Sequence, residues 1–198
     1  DVQVNFDGIT YAKGASVLKQ LVAYVGQEPF LAGLRDYFRE HAYGNATFDD
    51  LLAALEKSSG RDLSGWGAQW LKTTGLNIMR PDFEVAADGT FTRFAVIQEG
   101  ALPGAGELRV HRLAIGVYDD DGSGKLVRTH RVEIDVDAAE RTDVPELVGV
   151  PRGKFVLVND DDLTYCSVRL DDESLSTVLE RIGDITDSLP RTLVWSAA

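Results

Sequence analysis

Phe6-Asp7-Gly8-Ile9-Thr10-Tyr11-Ala12-Lys13-Gly14-Ala15-Ser16-Val17-Leu18 is the stretch that orders the rest of the chain. Thr10 carries the side-chain oxygen of a helix N-cap, and behind it Tyr11, Ala15, Leu18, Val22 and Val25 recur at spacings of three and four, which describes one helix face. Tyr11 is therefore expected in the first turn. Two roles are open to it there. It is an apolar member of the core face, or it is a phenol projecting from the helix end into a cleft, where its O–H can donate to a developing oxyanion.

Outward from this helix, Gly26 is a natural stop, and Pro29 suits the first turn of a second helix carrying Phe30, Leu31, Leu34, Tyr37 and Phe38 and ending near His41. Thr47-Phe48-Asp49-Asp50 then opens a third helix in the manner of a capping box. It bears Leu51, Leu52 and Leu55 and stops at Gly60. Asp62 or Ser64 caps a short fourth helix with Trp66, Trp70 and Leu71 before Gly75. Consecutive helices are thus expected over residues 10–74.

From Leu76 the hydrophobic period changes from helical to alternating. Residues 83–86, 91–97, 108–118, 126–136, 155–158 and 165–170 read as strands, separated by turns such as Asp88-Gly89 and the Gly- and Pro-containing stretch 100–106. An antiparallel β-sandwich follows. Asp171 or Asp172 then caps a helix with Leu175, Val178, Leu179 and Ile182, and residues 185–195 form another, complicated by Pro190. With no partners visible in the sequence, these two helices read as the start of a further helical domain.

The wording of the first stretch adds to its pattern. Ile9 to Leu18 resembles the Tyr-x-Lys-Gly-Ala segment of the aminopeptidase N family of zinc metallopeptidases. Gly26-Gln27-Glu28-Pro29-Phe30, Tyr37-Phe38, His41, Ala46 to Leu51, Trp66, Trp70-Leu71 and Gly75 continue the resemblance in order. It covers roughly residues 5–78 with specific residues and is looser beyond.

The resemblance implies an α+β multi-domain fragment. Residues 1–75 would be the helical end of a thermolysin-like catalytic domain, 76–170 a β-sandwich domain, and 171–198 the start of a C-terminal α-helical domain. It also implies a zinc-dependent aminopeptidase acting on peptide substrates, with Tyr11 hydrogen-bonding the tetrahedral intermediate. The family's H-E-x-x-H helix, the second helix that supplies a Glu ligand and the G-x-M-E-N loop are not in this sequence. Zinc and its ligands would come from the missing catalytic half of the same polypeptide, and the 198 residues alone should be inactive. Asn77 stands where the family commonly has Pro, and Lys19-Gln20 where it often has Arg and Met, so substrate side-chain preference and the substrate-binding residues stay open. A different class of function, a non-catalytic scaffold or interaction module of helices plus sandwich, also explains the missing ligands.

Composition narrows the field. There are 20 Lys and Arg against 32 Asp and Glu, a net charge of −12, which disfavours nucleic acid and anionic membranes as partners. Such a surface either attracts cationic amino termini or simply keeps the chain in solution. Cys166, the only cysteine, forbids an intrachain disulfide and fits a reducing compartment, making the cytoplasm the default location. Its strand-like surroundings suggest a buried, inert thiol. No apolar window reaches the ~20 residues of a membrane helix, and no leader segment opens the chain; Asp1 to Phe6 read like the middle of a protein.

Other chemistry is not supported. His41 ends a helix while His111 and His130 lie in expected strands, at spacings matching no compact metal-ligand pair. Asp119-Asp120-Asp121-Gly122-Ser123-Gly124-Lys125 opens like a calcium loop but reaches His130 where a bidentate Glu is needed, so it reads as a hairpin turn, as does Asp160-Asp161-Asp162. Gly122-Ser123-Gly124 is not a nucleophile elbow. Lys13 snorkels to solvent or supports the helix, and Gly14, costly inside a helix, suggests close packing against another element. With the catalytic half missing, Phe30, Tyr37, Leu51 or Trp66 are expected to be partly exposed, favouring self-association.

Overall fold

A computed structural model describes residues 8–198; Phe6, Asp7 and the residues before them lie outside the described residues. The chain divides into two compact units, Asp1–Thr74 and Gly75–Ala198.

The first unit is helical. Helix α1 spans Gly8–Val25, α2 Gln27–Glu40, α3 Phe48–Ser59 and α4 Trp66–Leu71. Its punctuation follows from local chemistry. Gly26 adopts φ +90° between α1 and α2, a conformation that costs glycine no Cβ clash, and Pro29 sits in the first turn of α2, where no intrahelical N–H is required. Thr47 caps α3 by accepting from the Asp50 N–H at 3.2 Å, while the Asp50 carboxylate accepts from the Thr47 N–H at 2.8 Å. Gly60 closes α3 in the left-handed conformation.

Two local expectations need correction. Helix α1 is already formed at Gly8, so Thr10 lies inside it and is not its N-cap. The N-cap of α4 is Gly65, without a side-chain bond; Asp62 instead accepts from the N–H and Oγ of Ser64, closing a turn ahead of the helix. Phe30, Tyr37 and Leu51 are half-buried as expected, whereas Trp66 is fully enclosed, its ring 6.3 Å from that of the equally buried Trp70.

The second unit is a sandwich with helices on one side. Strands β1 (Leu76–Val85), β2 (Phe91–Leu102), β3 (His111–Asp120), β4 (Leu126–Val136), β5 (Arg141–Asp143), β6 (Phe155–Asp160) and β7 (Ser167–Val168) form two sheets, ordered β5-β2-β1-β7 and β4-β3-β6. All pairings are antiparallel except β1 with β7, which run parallel over Ile78–Met79 and Ser167–Val168. The inner faces meet through Met79, Phe91, Phe94, Val96, Leu113, Ile115, Val117, Val156 and Val158. The strand read over 108–118 begins only at His111, because the Arg109 N–H is taken by the side chain of Gln98 at 2.8 Å instead of by a neighbouring strand. Only two residues of the strand read over 165–170 pair in a sheet.

Strand β6 explains the closing helices. Phe155, Val156, Leu157 and Val158 are all buried, and since successive side chains alternate faces, Val156 and Val158 enter the sandwich while Phe155 and Leu157 point away from it. That outer face is covered by α5 (Asp172–Arg181) and α6 (Ser188–Ala197), which bring Val178 and Val194 onto Phe155, Leu157, Tyr118 and Leu126. The helices expected to lack partners therefore have one, the back of the three-stranded sheet, and they cluster with the second unit.

Candidate functional site

Helix α1 presents two different faces. Val17, Gln20, Leu21 and Val25 are buried, and they define the side that packs. The face read from the sequence is mostly the other one: Tyr11 is 63% exposed, Leu18 46%, and Ala15 is exposed, with only Val25 belonging to the buried side. The core stripe is displaced by one residue, Val17 in place of Leu18, which turns it by about 100° around the axis. Tyr11 is accordingly not a core residue of this unit. Its phenol stands at the surface near the start of α1, on the same face as Gly14, Ala15 and Leu18, and carries an O–H able to donate a hydrogen bond.

Lys13 is half-buried and Gly14 is exposed. At Gly14 an added Cβ would meet no atom within 4 Å, so nothing among the described residues packs against it.

The histidines do not converge. His41 is the C-cap of α2. His111 is fully buried at the start of β3, its Nδ1 2.7 Å from Thr164 Oγ1, and burial together with the neighbouring Arg109 pushes its pKa down to about 3. His130 is exposed on β4. Among the described residues no group of three or more His, Cys, Asp and Glu side chains could hold a metal ion. A zinc site does not fit the side chains of the described residues.

The acidic turns are structural. Asp121 accepts from the N–H groups of Ser123 and Lys125 and from Ser123 Oγ, which closes the β3–β4 hairpin. Asp161 is held by Arg128 and Arg131 at 2.8 and 2.7 Å. Burial pushes the Cys166 thiol pKa well up, so the nucleophilic thiolate is suppressed.

A polar node inside the second unit was not foreseen from residue pattern, because its members lie far apart along the chain. Asn77 donates to the carbonyls of Glu99 and Glu107 and accepts from the buried Arg109 guanidinium at 2.9 Å. Asn77 thereby secures the start of β1. An open groove of ≈ 480 Å³ in the first unit is lined by Phe48, Leu52, Leu63, Gly67 and Leu71, with Asp49, Glu56, Ser64 and Lys72 as its polar members; Glu56 is engaged in accepting from the Leu63 N–H at 2.7 Å.

Residues 1–70 match the peptidase family M1 domain. Over its whole length the chain is 60% identical to aminopeptidase N of Streptomyces lividans. By sequence, the chain is a relative of the M1 aminopeptidases. It is also 32% identical, over 84% of its length, to leucyl aminopeptidase of Saccharolobus solfataricus. The chain covers 24% and 21% of these two relatives, about a quarter to a fifth of their length. Among solved structures, aminopeptidase A of Legionella pneumophila, determined with aspartic acid, superimposes with a TM-score of 0.67 over 93% of this chain and 21% of that one, at 16% identity. That likeness is one of fold: helices, then a sandwich, then helices.

Proposed function

We propose that these residues form part of a zinc-dependent aminopeptidase that removes N-terminal residues from peptides, and that Tyr11 donates a hydrogen bond to the oxyanion of the tetrahedral intermediate. The observation that supports this most is the placement of Tyr11. Within the M1-matching stretch its side chain stands on the exposed face of α1 and is not spent on the core. A phenol held on a helix is a preorganised donor, and one such donor contributes about 3–4 kcal/mol to transition-state stabilisation in acyl transfer.

In this proposal the zinc ligands and the groups that grip the peptide's amino terminus are supplied by sequence outside these residues. Residues 171–198 would lead from the sandwich into a further helical domain. The cytoplasm suits a chain with one cysteine whose thiol is suppressed. No helix among the described residues is long and apolar enough to cross a membrane.

The whole protein should release the first residue from a peptide with a free amino terminus, lose that activity to a chelator, and spare the same peptide once N-acetylated. The 198-residue chain alone should do none of this. Chelator-sensitive hydrolysis by the purified chain, or equal cleavage of the acetylated peptide by the whole protein, would contradict the proposal.

A further inference from the structure

Strand β4 is an edge of its sheet, paired with β3 on one side only. On its other side the Thr186 N–H donates to the Leu126 carbonyl at 3.3 Å, at the first residue of the strand. Among the described residues no strand pairs with the remainder. An edge strand turns a row of backbone N–H and C=O groups outward, which templates a further strand unless proline, lysine or a bulge blunts it. A bulge at Thr129, between the Arg128 and His130 pairings with β3, does so for the first part of β4. From His130 to Val136 the ladder is regular and holds no proline, glycine or lysine.

This regular part carries an ordered set of charges. Val132 and Ile134 stand opposite Ile115 and Leu113 on the core side of the sheet, so Arg131, Glu133 and Asp135, opposite Gly116, Ala114 and Arg112, share its outer face. Arg131 is held by Asp161 at 2.7 Å and by Glu133 at 2.9 Å, and Glu133 also accepts from Arg112 at 2.9 Å. A positive residue is thus followed by two negative ones along the edge, and the strand is complementary to its own reverse.

We propose that β4 pairs with β4 of a second copy of this chain, antiparallel about a two-fold axis at Val132, joining two three-stranded sheets into one of six strands. Residues opposite each other in an antiparallel pair lie on the same face, so the outer residues of one copy must meet the outer residues of the other. With the axis at Val132, Arg131 stands opposite Glu133 of the partner subunit, and symmetry makes this contact twice. An axis at Arg131 would oppose two guanidiniums, and one at Glu133 two carboxylates, both unfavourable. The contact is one strand wide, smaller than a permanent interface, so the dimer is a weak one. It does not depend on the role of Tyr11.

Sedimentation equilibrium of the 198-residue chain tests this, in about 0.15 M salt, where the repulsion of two chains of net charge −12 is screened beyond about 8 Å. Wild type should approach twice its monomer mass as concentration rises into the millimolar range, and amide exchange over residues 130–136 should slow in step. Arg131→Glu alone and Glu133→Arg alone each set like charges opposite one another, and each should need at least about tenfold more protein to associate. An equimolar mixture of the two variants restores opposite charges at both contacts and should associate as wild type does. A wild type that stays monomeric overturns the proposal. So does association that leaves exchange over 130–136 unchanged, or that each variant retains alone, since the contact would then lie on another surface. A variant without a cooperative melt is set aside, and exchange in wild type then decides.

Discussion

Arg128 on β4 reaches across β3 to Asp160 on β6, Nη1 to Oδ2 at 2.8 Å, by passing over Gly116. Asp160 is completely buried, and its other oxygen accepts from the Tyr118 hydroxyl at 2.9 Å. The Tyr118 ring lies flat on Phe155 at 4.4 Å, so this charged cluster joins the sheet to the apolar layer beneath α5 and α6. A Cβ on Gly116 would collide with Asp160 Oδ2. Without Asp160 the buried Tyr118 hydroxyl loses its acceptor, whereas the part-exposed Arg128 keeps Asp161. Asp160→Ala should therefore lower the stability of the second unit by about 1–3 kcal/mol, and Gly116→Ala by about 1–3 kcal/mol through overpacking. Urea midpoints unchanged in both variants would show that the cluster is dispensable.

His111 gives the second unit an acid sensitivity. It is neutral inside the fold, its pKa lowered from 6.5 to about 3 by burial and by Arg109, whereas the unfolded chain takes up a proton below about 6.5. The unfolded state then binds more protons, so this contribution is fully present above pH 6.5 and is lost as pH falls from there toward 3. The slope is at most about 1.4 kcal/mol per pH unit. His111→Gln should be less stable than wild type at pH 7, and the gap should narrow by pH 5. Parallel stability curves for the two proteins between pH 7 and 5 would refute this.

The closing helices should prove inseparable from the sandwich. Arg152, nearly buried, donates to Asp171 at 2.6 Å, and the Val156 N–H donates to Ser174 Oγ at 2.9 Å, tying the first turn of α5 to β6. Ser174→Ala leaves a buried N–H without that acceptor, a loss of about 1–3 kcal/mol. Residues 75–198 should fold cooperatively, whereas residues 75–170, with Phe155 and Leu157 uncovered, should aggregate. A monomeric, cooperatively melting 75–170 would place the boundary where the sequence pattern alone put it.

The legible parts of the fold were those decided within a few residues. Gly26, Pro29, the Thr47–Asp50 pair and Gly60 punctuate the helices by local hydrogen bonding and backbone preference, and the alternation from Leu76 onward marks the long strands. What escaped was decided by distant neighbours. The packed side of α1 is the Val17–Leu21 stripe because of what lies against it, although Tyr11, Ala15 and Leu18 are equally well spaced. Strand β5, three residues with no apolar alternation, exists only because β2 offers an edge. The partner of α5 and α6 was hidden in the unbroken apolar run Phe155–Val158, whose length signals a strand buried on both faces. Of the candidate site, the wording around Tyr11 was readable, but its exposure was not.

Tyr11→Phe in the whole protein tests the central claim most directly, by aminoacyl-anilide hydrolysis beside wild type with zinc content measured in both. Loss of one preorganised donor should lower kcat on the order of 100-fold or more while KM and bound zinc stay near wild type. A Tyr11→Phe protein with wild-type kcat would contradict the account and leave the exposed phenol of α1 without a catalytic role.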